Sequence, residues 1–492
     1  MRVTQNLYSA SLMLLTDLYQ LTMAYGYWKA QKSEEEAVFN LFFRSNPFKG
    51  GYSIACGLDY VIDFLDNFKF TESDLEYLAT LTGNDHKPLF ERGFLDYLGQ
   101  MRFQCDVEAI PEGTVVFPHE PLLKIRGPLV QCQIIETALL NIINFQTLIA
   151  TKSSRVCIAA EGESVLEFGL RRAQGIDGSL SASRAAYIGG ASATSNVLAG
   201  KLFGIPVRGT HAHSWIMSFD SELEAFDTYA AAMPNNCVFL VDTYNTLEGV
   251  KNAIKSGLEL RKKGFEMTGV RLDSGDLAYL SSQARVLLDE AGFPEAAIVA
   301  TNDLDEYLIY SLKQQAAKIN VWGVGTRLVT AYEQPALGGV YKLAAIKNRK
   351  GTWDYKVKLS EQAIKVSNPG LQQVRRFYTA EGLMLSDMIF DTDNPPKEGS
   401  DTLIVDPMDM TRRKRIAVST PYTDLLTPIF KGGKKVYDSP SPQAIRKRAM
   451  EQLQLLHPSF KRFANPHAYP VGLEQNLYEL KTSLILKLRA LD

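Results

Sequence analysis

The residues with the clearest chemical potential follow short apolar runs, and the first group is Phe168-Gly169-Leu170-Arg171-Arg172. An aromatic ring beside guanidinium groups suits a flat anion. The ring stacks on the anion, and an arginine pairs with its carboxylate through two hydrogen bonds. A buried phenylalanine followed by surface arginines would leave the same pattern. Phe168 and Arg171 are therefore the first candidate binding residues.

An acid-free stretch follows, because residues 178–219 contain neither Asp nor Glu but include Arg184, Lys201 and Arg208. The stretch also holds a run of small and polar residues at 189–196. Backbone N–H groups in such a run bind an anion well when they begin a helix. Tightly packed small residues at a helix start would give the same composition. The stretch predicts either an anionic ligand or a close helix contact.

Two of the six histidines lie in Gly209-Thr210-His211-Ala212-His213. Histidines at this spacing bind a metal when they share one face of a strand, but no Cys or carboxylate lies nearby in the sequence to complete the ligand set. The pair therefore predicts either a buried structural histidine or a histidine that transfers protons or groups at a strand end.

Four further charged residues follow two neighbouring apolar runs: Asp242, Arg271, Asp273 and Asp276. Carboxylates at one place suit Mg²⁺ held through water, or the hydroxyls of a ribose. An arginine beside them suits phosphate or carboxylate. Ion pairs within the protein are the alternative interpretation.

The last group is Gly323-Val324-Gly325-Thr326-Arg327. Its glycines let the backbone approach a ligand closely, and barrel enzymes often bind a phosphate after their late strands. A plain tight turn would have the same sequence. Together, the groups describe a site for a phosphorylated sugar and a flat anionic acceptor.

The elements that carry these residues alternate regularly from about residue 162. Short apolar strands and amphipathic helices in alternation predict a parallel sheet, either a barrel or doubly wound. In both arrangements the polar residues at the carboxyl ends of the strands meet at one site. The strands are predicted at 164–169, 206–211, 237–244, 268–276, 296–303 and 320–326, with helices such as 246–264 and 304–319.

The regions before and after these alternating strands and helices have different patterns, so we predict that the chain is divided into domains at 1–150, 151–340 and 341–492. The early part is predicted as a helix at 9–30, a strand at 37–43, mostly helix over 54–100, short strands over 105–131 and one long helix over 131–156. Beyond about residue 340 we predict antiparallel strands and then a helix over 440–458. The basic runs at 412–415 and at the start of that last helix are predicted on a solvated surface.

Composition excludes several classes of protein. Among 492 residues, Lys+Arg number 53 and Asp+Glu 55, and this net charge of −2 argues against a nucleic-acid binder. With 46% hydrophobic residues the chain is not disordered. No apolar stretch approaches the roughly 18 residues of a membrane span, and we expect no secretion signal. Five scattered cysteines disfavour disulfides and zinc. We expect a soluble, cytoplasmic protein without zinc.

Several familiar catalytic motifs are missing. There is no P-loop, no G-x-G-x-x-G, no G-x-S-x-G and no H-E-x-x-H. An aldolase or isomerase barrel acting on a sugar phosphate stays open as an alternative, but it would place a lysine at a strand end, and none of the six predicted strands contains one. An inactive regulatory protein would be expected to lack His213 or Asp273, and both are present.

These motifs, taken in combination, closely resemble the nicotinate phosphoribosyltransferase family. The resemblance runs nearly from end to end. It rests on TDLYQLTM (16–23), GPLVQCQIIETALLNIINFQT (127–147), EFGLRRAQG (167–175), ASATSNVLAG (191–200), GTHAHS (209–214), RLDSGDL (271–277), WGVGT (322–326) and PSPQAIRKR (440–448).

The resemblance implies an α/β fold: an irregular, TIM-like α/β barrel, an α/β sandwich domain built from the N-terminal part, and a C-terminal extension. It implies transfer of ribose 5-phosphate from phosphoribosyl pyrophosphate to nicotinate, in the salvage of NAD. Mg²⁺ is the implied cofactor. ATP is the implied co-substrate, hydrolysed through a phosphorylated histidine, and the active site is shared across a homodimer.

The resemblance also implies roles for individual residues, with His213 as the phosphorylated histidine. Phe168 would stack on the pyridine ring, and Tyr19 of the partner subunit would cover its other face. Asp273 would hold the ribose hydroxyls. The remaining implied contacts are Arg171 and Arg271 with the nicotinate carboxylate and the phosphates, Thr210 with substrate, Asp242 near pyrophosphate and Mg²⁺, and Gly323, Gly325 and Thr326 with the 5-phosphate.

The related nicotinamide enzyme is the nearest alternative. It is expected to place an acid near the acceptor amide, whereas Ser195 and Asn196 occupy the comparable stretch here. A carboxylate at that point would repel nicotinate by several kcal/mol in a pocket of low dielectric constant. The acid-free stretch therefore favours nicotinate. The quinolinate enzyme would need a more basic site and no histidine in the 209–214 motif.

Overall fold

The N-terminal part consists of helices and short strands around one long helix, Glu136–Ala159. The computed structural model describes residues 11–490. The strands of this part are β1 (Glu36–Phe43), β2 (Ser53–Ile54), β3 (Asp106–Ala109), β4 (Val115–Val116) and β5 (Leu123–Pro128), and its other helices are Leu18–Lys29, Leu58–Asp66, Glu72–Thr80, Arg92–Gln100 and Leu129–Ile134.

Two helix predictions in this part are wrong in their bounds. The helix predicted over 9–30 begins only at Leu18, because Asp17 caps it. The first two predicted residues lie outside the described part. The single helix predicted over 131–156 is divided at Ile135, so it forms two helices.

The middle of the chain forms a parallel sheet with helices between its strands. The strand order is β7-β6-β11-β10-β9-β8, and all these pairs are parallel. The strands are β6 (Ser164–Glu167), β7 (Ala193–Thr194), β8 (Val238–Leu240), β9 (Gly269–Leu272), β10 (Ala297–Ala300) and β11 (Val321–Val324), and the helices are Ile176–Ile188, Val197–Phe203, His213–Met217, Glu222–Ala232, Thr246–Lys262, Leu277–Glu290, Glu306–Gln314 and Thr326–Val329.

Five of the six predicted parallel strands are confirmed, and the sixth is wrong. Residues 206–211 make only one bridge, between Val207 and Thr194. The sixth strand is β7 instead. Within the described residues β7 and β8 form the two edges of the sheet, so the irregular barrel stays a prediction.

The C-terminal part supplies strands to two sheets. Its strands are β12 (Gly339–Lys347), β13 (Trp353–Tyr355), β14 (Gln372–Tyr378), β15 (Met384–Asp391), β16 (Thr402–Val405), β17 (Arg413–Ile416), β18 (Tyr422–Asp424), β19 (Thr427–Lys431), β20 (Lys434–Lys435) and β21 (Val471–Glu474), and its helices are Pro442–Leu455 and Gln475–Leu488.

Strands from both ends of the chain share one sheet. Its order is β13-β12-β1-β5-β3-β19-β20, so strands of the C-terminal part flank those of the N-terminal part on both sides. A third sheet, β17-β16-β21-β15-β14-β18, lies entirely within the C-terminal part, and β2 and β4 form a separate pair. The predicted antiparallel strands after residue 340 are therefore confirmed.

The two basic runs have different surroundings. The run at 412–415 lies on the edge strand β17 and is largely exposed, as expected of an edge strand that avoids pairing. The helix Pro442–Leu455 corrects the other prediction. Arg446 donates to the carbonyl oxygens of Gly190 (2.8 Å) and Ala191 (3.1 Å), so this arginine fastens the helix to the protein.

Apolar side chains from the described residues join into one large core that includes the fully buried Trp322 of β11. Its indole N–H donates to the Glu163 carboxylate at 2.7 Å. None of the helices among residues 11–490 has the length and apolar character needed to cross a bilayer.

Candidate active site

A cavity of about 160 Å³ opens at the carboxyl ends of β6, β9, β10 and β11. Parallel strands place these ends at one edge of the sheet, where α/β proteins bind their ligands. The cavity brings together seven of the residues predicted from the sequence. Its lining consists of Phe168, Arg171, Arg172, Arg271, Asp273, Thr301, Asn302, Asp303, Gly323, Gly325 and Thr326.

Arg271 is held from three sides in this cavity. Its guanidinium group donates to the Thr301 hydroxyl at 3.0 Å, the Thr210 hydroxyl at 3.0 Å and the Asp273 carboxylate at 2.8 Å. Thr210 belongs to the histidine motif, so Arg271 joins that loop to β9 and β10. A guanidinium with its nitrogen atoms fixed is well suited to a planar or phosphate anion.

Asp273 lies between Arg271 and His213. One carboxylate oxygen accepts from Arg271 and from the Thr301 hydroxyl, and the other lies 3.8 Å from His213 Nε2. Burial alone would raise the pKa of Asp273, but the hydrogen bonds from Thr301 and Arg271 outweigh it and hold the pKa below its ordinary value. Asp273 is therefore an anion at neutral pH.

His213 and His211 differ in their surroundings. His213 begins a short helix, its side chain is 40% exposed, and its Nδ1 lies 3.1 Å from the Thr243 hydroxyl. His211 is buried, and its Nε2 accepts from the Leu240 N–H at 3.3 Å. Burial lowers the pKa of His211 to about 4, so it is a neutral structural residue at physiological pH. Only His213 is open to a reaction partner.

Asp242 stands beside this group, at the end of β8. One of its carboxylate oxygens accepts from the Asp273 N–H at 2.9 Å and from the Ser274 hydroxyl at 2.6 Å. Its other oxygen is buried and has no hydrogen-bond partner among the described residues. A carboxylate oxygen without a protein partner is suited to bind Mg²⁺ through a water molecule. Residues 11–490 gather no group of three or more His, Cys, Asp or Glu side chains as ligands to a metal.

Phe168 packs directly against the glycine-rich turn after β11. Its N–H donates to the Val324 carbonyl oxygen at 2.8 Å. A Cβ atom at residue 323 would lie 2.8 Å from the Phe168 ring and 2.5 Å from the Thr301 methyl group, so only glycine leaves room there. Gly325 and Thr326 then begin the helix Thr326–Val329, whose first N–H groups have no partners within the helix.

The mouth of the cavity is cationic. Arg171 and Arg172 form a 3-10 turn and are exposed to solvent. Asp303, which is also exposed, is the second negatively charged residue of the lining, besides Asp273. The balance of three arginines and two aspartates favours an anionic ligand.

Ser195 and Asn196 lie at the end of β7, beside the strand that carries Phe168. The Ser195 N–H donates to the Glu167 carbonyl oxygen at 2.9 Å. The Asn196 side chain is buried, caps the helix Val197–Phe203 and donates to the Ser183 hydroxyl at 3.2 Å. Neither residue lines the cavity.

Tyr19 is another predicted residue that does not line the cavity of its own chain. It lies on the helix Leu18–Lys29 with 48% of its surface exposed, and its hydroxyl oxygen accepts from Gln20 at 3.2 Å. Asp276, also considered from the sequence, caps the helix Leu277–Glu290 by accepting from two backbone N–H groups.

Sequence reasoning missed several residues of the site. Thr301, Asn302 and Asp303 follow the predicted strand over 296–303, and their position at a strand end was the available signal. Asn302 and Asp303 both adopt positive φ angles, 90° and 41°, which is costly for residues other than glycine. Glu167 was also missed, although it stands directly before Phe168.

A cationic cavity with a fixed arginine, a carboxylate, an exposed histidine and a tight glycine turn is typical of an α/β enzyme that handles a phosphorylated sugar and a flat anion. Comparison with known families agrees over most of the chain. Residues 14–144 match the nicotinate phosphoribosyltransferase (NAPRTase) N-terminal domain, 164–367 the NAPRTase family, and 371–481 the NAPRTase C-terminal domain.

Individual relatives extend this match. The nicotinate phosphoribosyltransferase of Bacillus subtilis (strain 168) is 43% identical, and the match covers 98% of this chain and 96% of that protein. Nicotinate phosphoribosyltransferase 2 of Arabidopsis thaliana is 39% identical over 95% of this chain and 93% of its own. The crystal structure of human nicotinic acid phosphoribosyltransferase superimposes with a TM-score of 0.83 at 32% identity, covering 95% of this chain and 99% of that one.

The chain therefore belongs to the nicotinate phosphoribosyltransferase family. The fold is shared more widely, since the nicotinate-nucleotide pyrophosphorylase of Pyrococcus furiosus superimposes with a TM-score of 0.67 at 20% identity. At that identity the likeness concerns the fold alone.

Proposed function

We propose that this protein transfers ribose 5-phosphate from phosphoribosyl pyrophosphate to nicotinate, giving nicotinate mononucleotide and pyrophosphate in the salvage of NAD. The observation that carries the proposal is family membership across almost the whole chain. The cavity agrees with it, because its arginines, Asp273 and glycine turn suit the two anionic substrates.

In the proposed reaction the pyridine nitrogen of nicotinate forms a bond to C1 of the ribose while the bond from C1 to pyrophosphate breaks. Positive charge develops on the sugar in the transition state, as in glycoside cleavage, and negative charge develops on the leaving group. Phe168 stacks on the pyridine ring, and Arg171 and Arg271 neutralise the nicotinate carboxylate and the phosphates. Asp273 holds the ribose hydroxyls and stabilises the developing positive charge.

The 5-phosphate is proposed to bind at Gly323, Gly325 and Thr326, where the backbone approaches closely and free N–H groups begin a helix. Thr210 supports substrate binding through Arg271. Ser195 and Asn196, at the end of β7, lie next to the strand that leads to Phe168 and form an uncharged layer behind the cavity lining, which we call the Ser195–Asn196 wall. The lack of a carboxylate there suits an acceptor that is itself an anion.

ATP use is proposed to proceed through His213. A nitrogen of its exposed ring takes the terminal phosphoryl group, the bond from that phosphorus to the bridging oxygen breaks, and ADP leaves. Water later takes the phosphoryl group as inorganic phosphate. Thr243 is hydrogen-bonded to one ring nitrogen, and Asp273 lies 3.8 Å from the other. Mg²⁺, held by Asp242 through water, would supply charge neutralisation at the pyrophosphate.

The active site is proposed to be shared between the subunits of a homodimer. The cavity of about 160 Å³ in one chain is smaller than the roughly 300–1,000 Å³ of an ordinary ligand pocket, so it needs another wall. Tyr19 of a second subunit would supply that wall. Exposed apolar residues beside it, Leu15 and Leu18, suit burial in a subunit interface.

The fold, the domain division and the cellular compartment are proposed as well. The parallel sheet and its helices are proposed to form the irregular barrel of the family, with domains near 1–150, 151–340 and 341–492. The protein is proposed to work in the cytoplasm without zinc. Its five cysteines are all free and four of them are buried, which suits a reducing compartment.

The proposal is tested by product analysis with phosphoribosyl pyrophosphate and Mg²⁺, offering nicotinate or nicotinamide, with and without ATP. We expect nicotinate mononucleotide to form, faster when ATP is present, and no amide product. Turnover of nicotinamide instead would overturn the substrate assignment. No product from either acceptor would favour a sugar-phosphate barrel of another activity or an inactive relative.

A further inference from the structure

Glu167 is a buried residue that directly precedes Phe168 of the candidate ring site. It is the last residue of β6, its exposure is 0%, and it does not line the cavity. Among the described residues its side chain accepts hydrogen bonds only from neutral groups: the Gly169 N–H, the Ser183 hydroxyl (2.8 Å) and the Thr194 hydroxyl (2.6 Å). A buried carboxylate without a cation is costly, so its retention needs a reason.

The three donors belong to three different elements. Gly169 belongs to the turn between Phe168 and Arg171, Ser183 lies on the helix Ile176–Ile188, and Thr194 ends β7. Thr194 in turn accepts from the Asn196 N–H at 3.0 Å. One carboxylate therefore links the turn that carries the aromatic ring and an arginine with the wall that carries Ser195 and Asn196.

Packing against Val329 and the hydrogen bond to Glu167 together fix the position of the turn. A Cβ atom at Gly169 would overlap the Val329 side chain, so the backbone already packs against the helix after the glycine turn. The Gly169 N–H is the turn's own link to Glu167, whereas Phe168 is also held by β11. Removal of the carboxylate would release the part of the turn that leads to Arg171.

We propose that Glu167 is a positioning residue of the acceptor site, which holds the turn of Phe168 and Arg171 against the Ser195–Asn196 wall without touching the substrate. The inference rests on the proposed function and specifies which substrate depends on this residue. The glycine turn at 323–326 is anchored by the strand pairs of β11, which do not involve this side chain. Replacement of Glu167 is therefore expected to weaken binding of the acceptor more than binding of the sugar phosphate.

The test is steady-state kinetics of Glu167→Ala, Glu167→Gln and Glu167→Asp, with separate KM values for nicotinate and phosphoribosyl pyrophosphate. We expect Glu167→Ala to raise the nicotinate KM about tenfold or more, since three hydrogen bonds are lost, with less than a threefold change for phosphoribosyl pyrophosphate. Glu167→Gln keeps an acceptor for the Gly169 N–H and is expected to restore the nicotinate KM to within about threefold of wild type.

Ser183→Ala is the matched control, because it removes one donor to the same carboxylate, together with one acceptor of the Asn196 side chain, and leaves Gly169 and Thr194 in place. It is expected to lower the melting temperature slightly and to leave both KM values near wild type. If Glu167→Ala does not fold, Glu167→Asp decides, because its shorter side chain keeps the charge but does not reach all three donors.

An unchanged nicotinate KM in the folded Ala or Asp variant would overturn the inference, as would equal rises in both KM values. The inference would also be overturned if Glu167→Gln did not restore the nicotinate KM and Ser183→Ala raised it as much as Glu167→Ala does. The hydrogen-bond network would then have a structural role only. Absence of nicotinate mononucleotide with the wild-type protein would overturn the proposed function instead, so the two failures are distinguishable.

Discussion

Among the residues of the site, the two histidines of the 209–213 motif show how burial separates similar side chains. His213 is half-exposed beside Asp273 and Thr243, whereas His211 lies under the loop and accepts from the backbone of β8. His213 is therefore the candidate phosphoryl carrier, whereas His211, two positions earlier, is a structural residue.

His213→Ala is expected to abolish the stimulation by ATP and to leave slow, ATP-independent transfer. The substitution removes the proposed phosphoryl acceptor but leaves the arginines and Asp273 in place. The measurement is the rate of nicotinate mononucleotide formation and of ADP release, with and without ATP. His86→Ala, at an exposed histidine outside the cavity, serves as the control. Unchanged ATP-stimulated turnover in the His213 variant would contradict the assignment.

His211 predicts a loss of stability in acid. Its pKa is about 4 in the folded chain and 6.5 as the ordinary value, so between these values the unfolded chain binds a proton that the folded chain does not. The stability is therefore present above pH 6.5 and is lost as the pH falls towards 4. From pH 7 to pH 5 this histidine alone accounts for about 2 kcal/mol of the free energy of unfolding.

The check is denaturant unfolding of wild type and His211→Gln at pH 7 and pH 5. Glutamine keeps an acceptor for the Leu240 N–H but does not titrate. We expect the variant to lose about 2 kcal/mol less than wild type over this interval. The half-buried His119, whose pKa is also lowered to about 4, is common to both proteins and cancels in the comparison. Equal losses would mean that His211 is not the titrating group.

At the scale of the elements, the sequence predicts those parts of the fold that follow from local patterns. Five parallel strands and the helices between them can be recognised locally, because each strand is a short apolar run and each helix begins with polar residues. The strand predicted at 206–211 fails because that segment makes one bridge and then turns to place Thr210 against Arg271. The acid at 167 was missed because two of its three donors, Ser183 and Thr194, lie 16 and 27 positions further along the chain.

Gly323→Ala tests whether the strand end of β11 and the ring site form one unit. The added Cβ atom would overlap both the Phe168 ring and the Thr301 methyl group, so one of them must move. We expect kcat/KM for nicotinate to fall about tenfold or more and the free energy of unfolding to fall by about 1–3 kcal/mol.

Gly338→Ala is the matched control for this substitution, since no atom outside its neighbours lies within 4 Å of the new Cβ. It is expected to change neither quantity measurably. A Gly323 variant as active as the Gly338 variant would mean that Phe168 is free to move without cost. Kinetic constants and denaturant midpoints of the two proteins decide the matter.

At the scale of the whole molecule, a shared active site predicts complementation. Tyr19→Ala and Phe168→Ala are each expected to be nearly inactive. Their mixed dimers would contain one site with both aromatic residues intact and one with neither. Random mixing after reversible dissociation should therefore restore about a quarter of wild-type activity. Mixtures that stay inactive would mean that Tyr19 does not act across a subunit interface.

The pairing between distant parts of the chain was beyond sequence reasoning. The sheet order β13-β12-β1-β5-β3-β19-β20 depends on contacts between residues hundreds of positions apart, which no local pattern encodes. The apolar character of each strand was readable, but its partner was not.

The strands of this shared sheet are synthesised far apart in time, so the sheet stays incomplete during much of translation. On the ribosome, β3 and β5 emerge about 300 residues before β19, which is the neighbour of β3, and β1 emerges earlier still. At about 5–20 residues per second, that edge waits for tens of seconds with unpaired backbone groups. A nascent chain in this state is a natural client for chaperones. A premature stop before residue 427 would leave the edge open permanently, and aggregation would follow.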